Sequence, residues 1–292
     1  MKIVTFEKNG NRGVGIIDDL SVIPASALGF SGDIHDFLRR YTVGDLVRKK
    51  AELSSLQHLP LAEVKLCAPI PRPEHDVVCL GLNYRDHEEE AARVNKDAYS
   101  RKDENVKAVY FSKRVDEAVA PGGVIQAHED ICSQLDYEVE LAVIIGRDAS
   151  HVRREDAYDY VYGYTILNDV SARNLQSSHG QWYLGKSLDG FTPIGPWIVT
   201  ADEIPGDPQL DITCSVNGKL RQKSNTRNMI FDIPYIIEEL SQGMTLQTGT
   251  IISTGTPKGV ALAMGTPDAY LRRGDTVRCE IEKIGVLENT VD

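Results

Sequence analysis

The chain has 292 residues, of which 41% are hydrophobic and 26% charged, and a formal net charge of -11. That length allows one large domain with a small appendage, and the composition is ordinary for a globular protein. The negative charge argues against nonspecific binding of nucleic acid or an anionic membrane, and no apolar run approaches the ~18 residues of a membrane span. The first residues lack the basic start and unbroken apolar stretch of a signal peptide. Cys67, Cys79, Cys132, Cys214 and Cys279 form no Cys-x-x-Cys pair, so free core thiols in a reducing cytosol, and hence a cytoplasmic location, are expected.

In chain order, Lys2–Phe6 and Gly13–Ile17 alternate like the arms of a hairpin, and a polar helical stretch runs from about Ile34 to Leu56. The segment Ala68-Pro-Ile-Pro-Arg-Pro73 is too rich in proline for regular structure. It predicts a boundary between a small N-terminal domain, 1–65, and a larger domain, 66–292. A strand at Asp76–Leu80 precedes a charged helix from Arg85 to about Asp97, and residues 95–106 read as a polar loop. Ala108–Ser112 is a further strand, followed by a turn at Pro121-Gly-Gly123. A helix is expected at His151–Tyr158 and another at about Met229–Leu240. Strands are expected at 137–145, Val161–Leu167, Trp197–Thr200, Leu210–Val216, Thr250–Ser253 and Thr276–Ile284. The predicted fold is a β-rich α+β sandwich, roll or barrel with peripheral helices.

Glu138 and Glu140 lie within the run Asp136-Tyr-Glu-Val-Glu-Leu-Ala-Val-Ile-Ile-Gly146. Strand side chains alternate between faces, so the two carboxylates share one face with Ala142 and Ile144, and Val139, Leu141, Val143 and Ile145 share the other. A strand apolar on both faces is buried, and buried like charges need compensation. A hard divalent cation bound through oxygen supplies it. The competing reading is an edge strand whose glutamates reach water, which the apolar run after Glu140 fits poorly. Asp169, after the Val161–Leu167 strand, is a candidate third ligand, although aspartates after strands are usually turn residues.

Gly180-Gln-Trp-Tyr-Leu-Gly-Lys-Ser187 matches the P-loop pattern by letter. The bulky Trp182, Tyr183 and Leu184 and the proline-rich continuation deny it the small loop and following helix that a phosphate site needs. Lys186 is left open between a solvated lysine and a site residue. His87 and Glu90 are three apart on a helix and so share a face; spacing alone leaves them open between an oriented general base and a chance pair in an acidic stretch. Thr254-Gly-Thr-Pro-Lys-Gly-Val260 is either a plain turn or a loop of amides and hydroxyls able to bind a carboxylate.

Taken together and in order, Gly81–Glu90, Asp136–Leu141, Asn168–Gln176, Gly185–Pro196 and Ser253–Gly259 resemble the fumarylacetoacetate hydrolase family over roughly residues 64–292. The resemblance implies a mixed β-roll of the fumarylacetoacetase C-terminal type with a small N-terminal domain, a homodimer, and Mg²⁺ or Mn²⁺. It implies Glu138, Glu140 and Asp169 as metal ligands, Lys186 as the group that stabilises an enolate oxygen, and Arg173, Gln176 and Thr256 as substrate-binding residues. His87 and Glu90 become the catalytic pair on a lid, with residues 95–106 as its continuation. The expected partner is a small 2-oxo acid, with no nucleic acid and no membrane. The expected reaction is hydrolysis of a C–C bond in an acylpyruvate or related 2,4-dioxo acid. Decarboxylation of a 2-oxo acid, isomerisation of an unsaturated 2-hydroxy dioate, and a non-catalytic metal-binding role are the alternatives.

Overall fold

The structure is a computed structural model that describes residues 1–53, 55–94 and 107–292. The expected loop at 95–106 lies outside the described residues. Two sheets carry the fold. The larger contains β1 (Lys2–Lys8), β2 (Asn11–Asp18), β3 (Ser21–Pro24), β4 (Val77–Leu80), β5 (Tyr110–Lys113), β6 (Val139–Ile145), β7 (Val161–Asn168), β8 (Ile194–Thr200) and, later in the chain, Ile251–Ser253. Its central order runs β1, β8, β7, β6, Ile251–Ser253, β4, β5. The smaller sheet is built from Asp211–Val216, Lys219–Asn225, Thr276–Ile281, Gly285–Val291 and Val124–Ile125. A β-rich α+β fold with few, peripheral helices is therefore present, as the patterning predicts.

β6 is an interior strand, hydrogen-bonded to β7 on one side and to Ile251–Ser253 on the other. Its alternation sorts the core. Val139, Leu141, Val143 and Ile145 pack into the cluster that includes Ile212, Cys279 and the helix residues Ile236 and Ile237. Ala142 and Ile144 pack into a second cluster with Ile3, Ile16, Phe37 and Ile198 from the N-terminal strands and their neighbours. The edge-strand reading of Glu138 and Glu140 is thus excluded. β6 itself starts at Val139, so Glu138 stands immediately before it.

Local chemistry explains where the helices differ from expectation. The polar stretch after Ile34 is three short helices, Ile34–Arg40, Val43–Arg48 and Lys50–Leu53. The break falls at Tyr41, which is extended, and Thr42 restarts the chain with a capping box to Asp45. The helix expected from Met229 begins at Ile233, because Asp232 accepts a hydrogen bond from the Tyr235 N–H and caps it there. His151–Tyr158 is instead a 3₁₀ segment, Arg154–Tyr160. All five cysteines are free and buried, and among the described residues no helix is long and apolar enough to cross a membrane.

Because β6 is packed on both faces, Ile144→Ala is expected to destabilise the protein by ~2–5 kcal/mol. Leu20→Ala, at a side chain 83% exposed, should change stability by no more than ~0.5 kcal/mol. Urea unfolding of the two variants checks both; equal midpoints would contradict the assignment of β6 as the centre of the core.

Candidate metal and active site

The carboxylates converge because two neighbouring strands end side by side. β6 and β7 pair Val139 with Asn168, and the Asp169 N–H donates to the Glu138 carbonyl at 2.8 Å. Glu140 faces Ser253 and Gly255, whose hydroxyl and N–H donate to its Oε2 at 2.6 and 2.8 Å. One oxygen from each of Glu138, Glu140 and Asp169 lies within 4.8 Å of the others. The three residues are 6%, 1% and 0% exposed.

Three cations reach this cluster from separate elements. Lys186, at the end of the short helix Tyr183–Lys186, places Nζ 2.6 Å from Glu138 Oε2 and 2.6 Å from Asp169 Oδ2. Lys113, the last residue of β5, is 2.7 Å from Asp169 Oδ1. That contact is an ion pair without hydrogen-bond alignment; the Lys113 ammonium aims its hydrogen bonds at the Val170 and Lys186 carbonyls. Arg173 opens the helix Arg173–Ser178 and bridges Asp136 Oδ2, at 2.9 Å, and Glu138 Oε1, at 2.6 Å.

These neighbours set the charge states. Burial pushes the Glu138 carboxyl up, but Arg173 and Lys186 outweigh it and hold the group below the usual carboxylate range. Burial pulls the Lys186 ammonium down, and Asp169 and Glu138 more than restore it. Glu140 is different. Burial, then the charges of Asp169 and Glu138, drive its carboxyl well above the usual range. No salt bridge reaches it among the described residues, and only its Oε2 accepts hydrogen bonds there.

A donor set of three buried carboxylates, all hard oxygen, with Glu140 left without a cation of its own among the described residues, fits a hard divalent cation.

His87, Glu138, Glu140, Arg173, Gln176, Lys186 and Thr256 line a cavity of about 220 Å³. Glu90 and Asp169 stand behind that lining. His87 and Glu90 lie on the helix Arg85–Val94, with His87 Nδ1 3.0 Å from Glu90 Oε2. The Gly259 N–H donates to both Glu90 oxygens, at 3.0 and 3.1 Å, which ties the pair to the Thr254–Val260 loop. Gln176 accepts from Arg173 Nη1 at 3.0 Å. The Thr256 hydroxyl donates to the Val139 carbonyl at 3.0 Å and accepts from Gln222 Nε2 at 2.9 Å, so its proton is already engaged by the fold.

Four participants were not singled out from sequence. Asp136 is fully buried and accepts hydrogen bonds from Arg173, Ala261 and Leu262. Its signal was present, since Asp136, Glu138 and Glu140 share one period-2 phase. Lys113, Ser253 and Gln222 carried none: a lysine or serine at a strand end looks the same whether it meets solvent or a buried carboxylate.

Residues 76–292 match the family described as fumarylacetoacetate (FAA) hydrolase C-terminal. The oxaloacetate tautomerase of Bacillus subtilis (strain 168) is 45% identical over 240 residues, 82% of this chain and 77% of that protein. Among solved structures, a fumarylacetoacetate hydrolase from Exiguobacterium antarcticum is 36% identical with a TM-score of 0.86, the match covering 100% of this chain and 99% of that one. A maleylpyruvate hydrolase from Sphingobium sp. SYK-6, solved in complex with manganese(II) and pyruvate, is 30% identical with a TM-score of 0.78, covering 100% and 98%.

Metal binding is expected to weaken as pH falls, and to release a proton wherever Glu140, with its raised carboxyl, is still protonated. Calorimetric titration with Mn²⁺ in two buffers of different ionisation enthalpy reads this directly; identical heats would show that Glu140 is already charged. For Glu138 the sign is opposite. Its lowered folded-state value adds stability that is complete above the unfolded value near ~4.3 and is lost as pH falls through the folded one. Arg173→Met, which strips one of its two cations, should cost ~3–5 kcal/mol in urea unfolding at neutral pH.

Proposed function

The chain belongs to the fumarylacetoacetate hydrolase family, and from that premise we propose that it is a metal-dependent enzyme that interconverts the keto and enol forms of an oxaloacetate-type 2-oxo acid. One observation carries the reading: His87, Glu138, Glu140 and Lys186 border a single cavity of about 220 Å³, with Glu90 against His87 and Asp169 beside Glu138 and Glu140 directly behind that lining. That volume lies below the ~300 Å³ at which ordinary ligand pockets begin, and suits a small acid. The similarity to an oxaloacetate tautomerase favours this chemistry over bond hydrolysis.

Glu138, Glu140 and Asp169 would hold Mg²⁺ or Mn²⁺, which supplies Lewis acidity toward a 2-oxo carboxylate when bound. Glu90, fixed by the Gly259 N–H, orients His87 through Nδ1 and leaves Nε2 as the base. His87 Nε2 takes a proton from C3 of the keto form. The Lys186 ammonium, kept charged by Glu138 and Asp169, meets the charge that develops on the C2 oxygen. Protonation of that oxygen from solvent completes the enol. In reverse, the enol hydroxyl loses its proton to solvent and the His87 imidazolium gives its own to C3. A homodimer, supported by the family resemblance, and a cytoplasmic location, supported by five free buried cysteines, are part of the same reading.

Hydrolysis of a C–C bond in an acylpyruvate is the second reading, favoured by the same dyad and by the similarity to a maleylpyruvate hydrolase. There His87 would take its proton from water, and the hydroxide would attack the distal carbonyl. The discriminating experiment supplies enol oxaloacetate to Mn²⁺-loaded protein and follows enol absorbance alongside pyruvate. Faster enol decay without pyruvate is expected, and His87→Asn should slow it by ~10²–10⁴-fold. Pyruvate and CO₂ from oxaloacetate would establish decarboxylation instead. Equal amounts of pyruvate and acetate from acetylpyruvate, with enol decay unaffected, would establish hydrolysis.

A further inference from the structure

Trp182 lies in the Gly180–Ser187 segment, of which the chemistry above uses only Lys186. Its indole lines the cavity beside Leu80, Gly81 and Phe111. The ring meets Phe111 edge-on, with centroids 5.3 Å apart and planes at 72°. The Phe111 ring centroid is in turn 5.1 Å from Lys186 Nζ. The charged centre and the indole are therefore separated by two contacts through a single phenyl ring. Of the three consecutive large side chains Trp182, Tyr183 and Leu184, the latter two are each 43% exposed, while the indole is half-buried against the cavity.

Gly81 makes room for this placement. A Cβ there would stand 3.1 Å from Trp182 Cζ3 and 3.2 Å from Cη2, so a side chain would press on the indole. The ring is thus fitted between a backbone without a side chain and the Phe111 edge.

We propose that Trp182 is a specificity-determining residue, its indole forming the wall that limits the size of the apolar group a 2-oxo acid can carry on the side away from the carboxylates. The inference rests on the reading of the site as one for 2-oxo acids, but not on which reaction follows. A rigid apolar wall discriminates by ~10–200-fold per methylene at the point of contact.

The test uses unreactive 2-oxo acid mimics, oxamate and its N-methyl, N-propyl and N-hexyl derivatives, with Mn²⁺-loaded protein. Trp197→Phe leaves Trp182 as the sole tryptophan, so its fluorescence reports occupancy directly; calorimetry gives the affinities of Trp182→Ala and of Trp182→Leu, which retains apolar packing should the alanine variant fail to fold. Expected is a loss of at least about tenfold between N-methyl and N-propyl oxamate with Trp182 present, abolished in the variants, together with a change in Trp182 emission on binding. The same chain-length profile in all three proteins would overturn the proposal. A cut-off removed by the variants in a protein that consumes no enol would support the wall while the proposed reaction fails. Absence of any oxamate binding would overturn both.

Discussion

Everything in the site depends on placing four carboxylates, Asp136, Glu138, Glu140 and Asp169, where little water reaches them. Three cations, Lys113, Arg173 and Lys186, offset most of that charge. Desolvation of such a group costs several kcal/mol per ion unless geometry and hydrogen bonding are good, so the cluster draws on stability supplied elsewhere. The supply is local. β6 carries Glu140, with Glu138 immediately before it, and is also the strand whose two faces seed the two apolar clusters. The strand most expensive to charge is thus the one best anchored by packing.

The second constraint is the segment from Thr254 to Leu262, which touches the site at Glu140, Glu90 and Asp136. Gly255 holds Glu140, Thr256 holds the Val139 carbonyl, Gly259 holds Glu90, and Ala261 and Leu262 hold Asp136. Gly259 has φ +103°, and a Cβ there would fall 2.1 Å from the Arg221 carbonyl oxygen. No other residue fits that backbone at that distance. Through this segment, the position of the His87 helix and that of the carboxylates are set by one stretch of chain.

The features legible in sequence were those with a short period. The alternation of 138–145 predicts a doubly buried strand and the shared face of the two glutamates, and both follow from the side-chain period of two. Asp136 sits in the same phase but looks like the flank of a strand, which conceals its role in holding Arg173. Lys113 was not legible, because its significance lies in a carboxylate 56 positions away, supplied by the pairing of strands rather than by neighbours. The same limit applies to helix ends. The Thr42–Asp45 box and the Asp232 cap are strong local signals that override the helical tendency of the flanking residues.

The P-loop likeness of Gly180–Ser187 shows why a spacing needs its physical context. In a phosphate loop the glycines free backbone amides for an anion. Here a Cβ on Gly185 would meet the Gln176 N at 2.5 Å and the Ala172 carbonyl oxygen at 2.8 Å, so this glycine serves close packing against the helix Arg173–Ser178. That packing delivers Lys186 to Glu138 and Asp169 rather than to a phosphate. The ammonium and the proposed cation would therefore draw on the same two carboxylates, Glu138 and Asp169. As either takes a larger share of Glu138 and Asp169, the other presents more of its charge to the substrate. On the proposed reading, the affinity for an anionic 2-oxo acid would then be a property of the lysine and the metal jointly, and not of either alone.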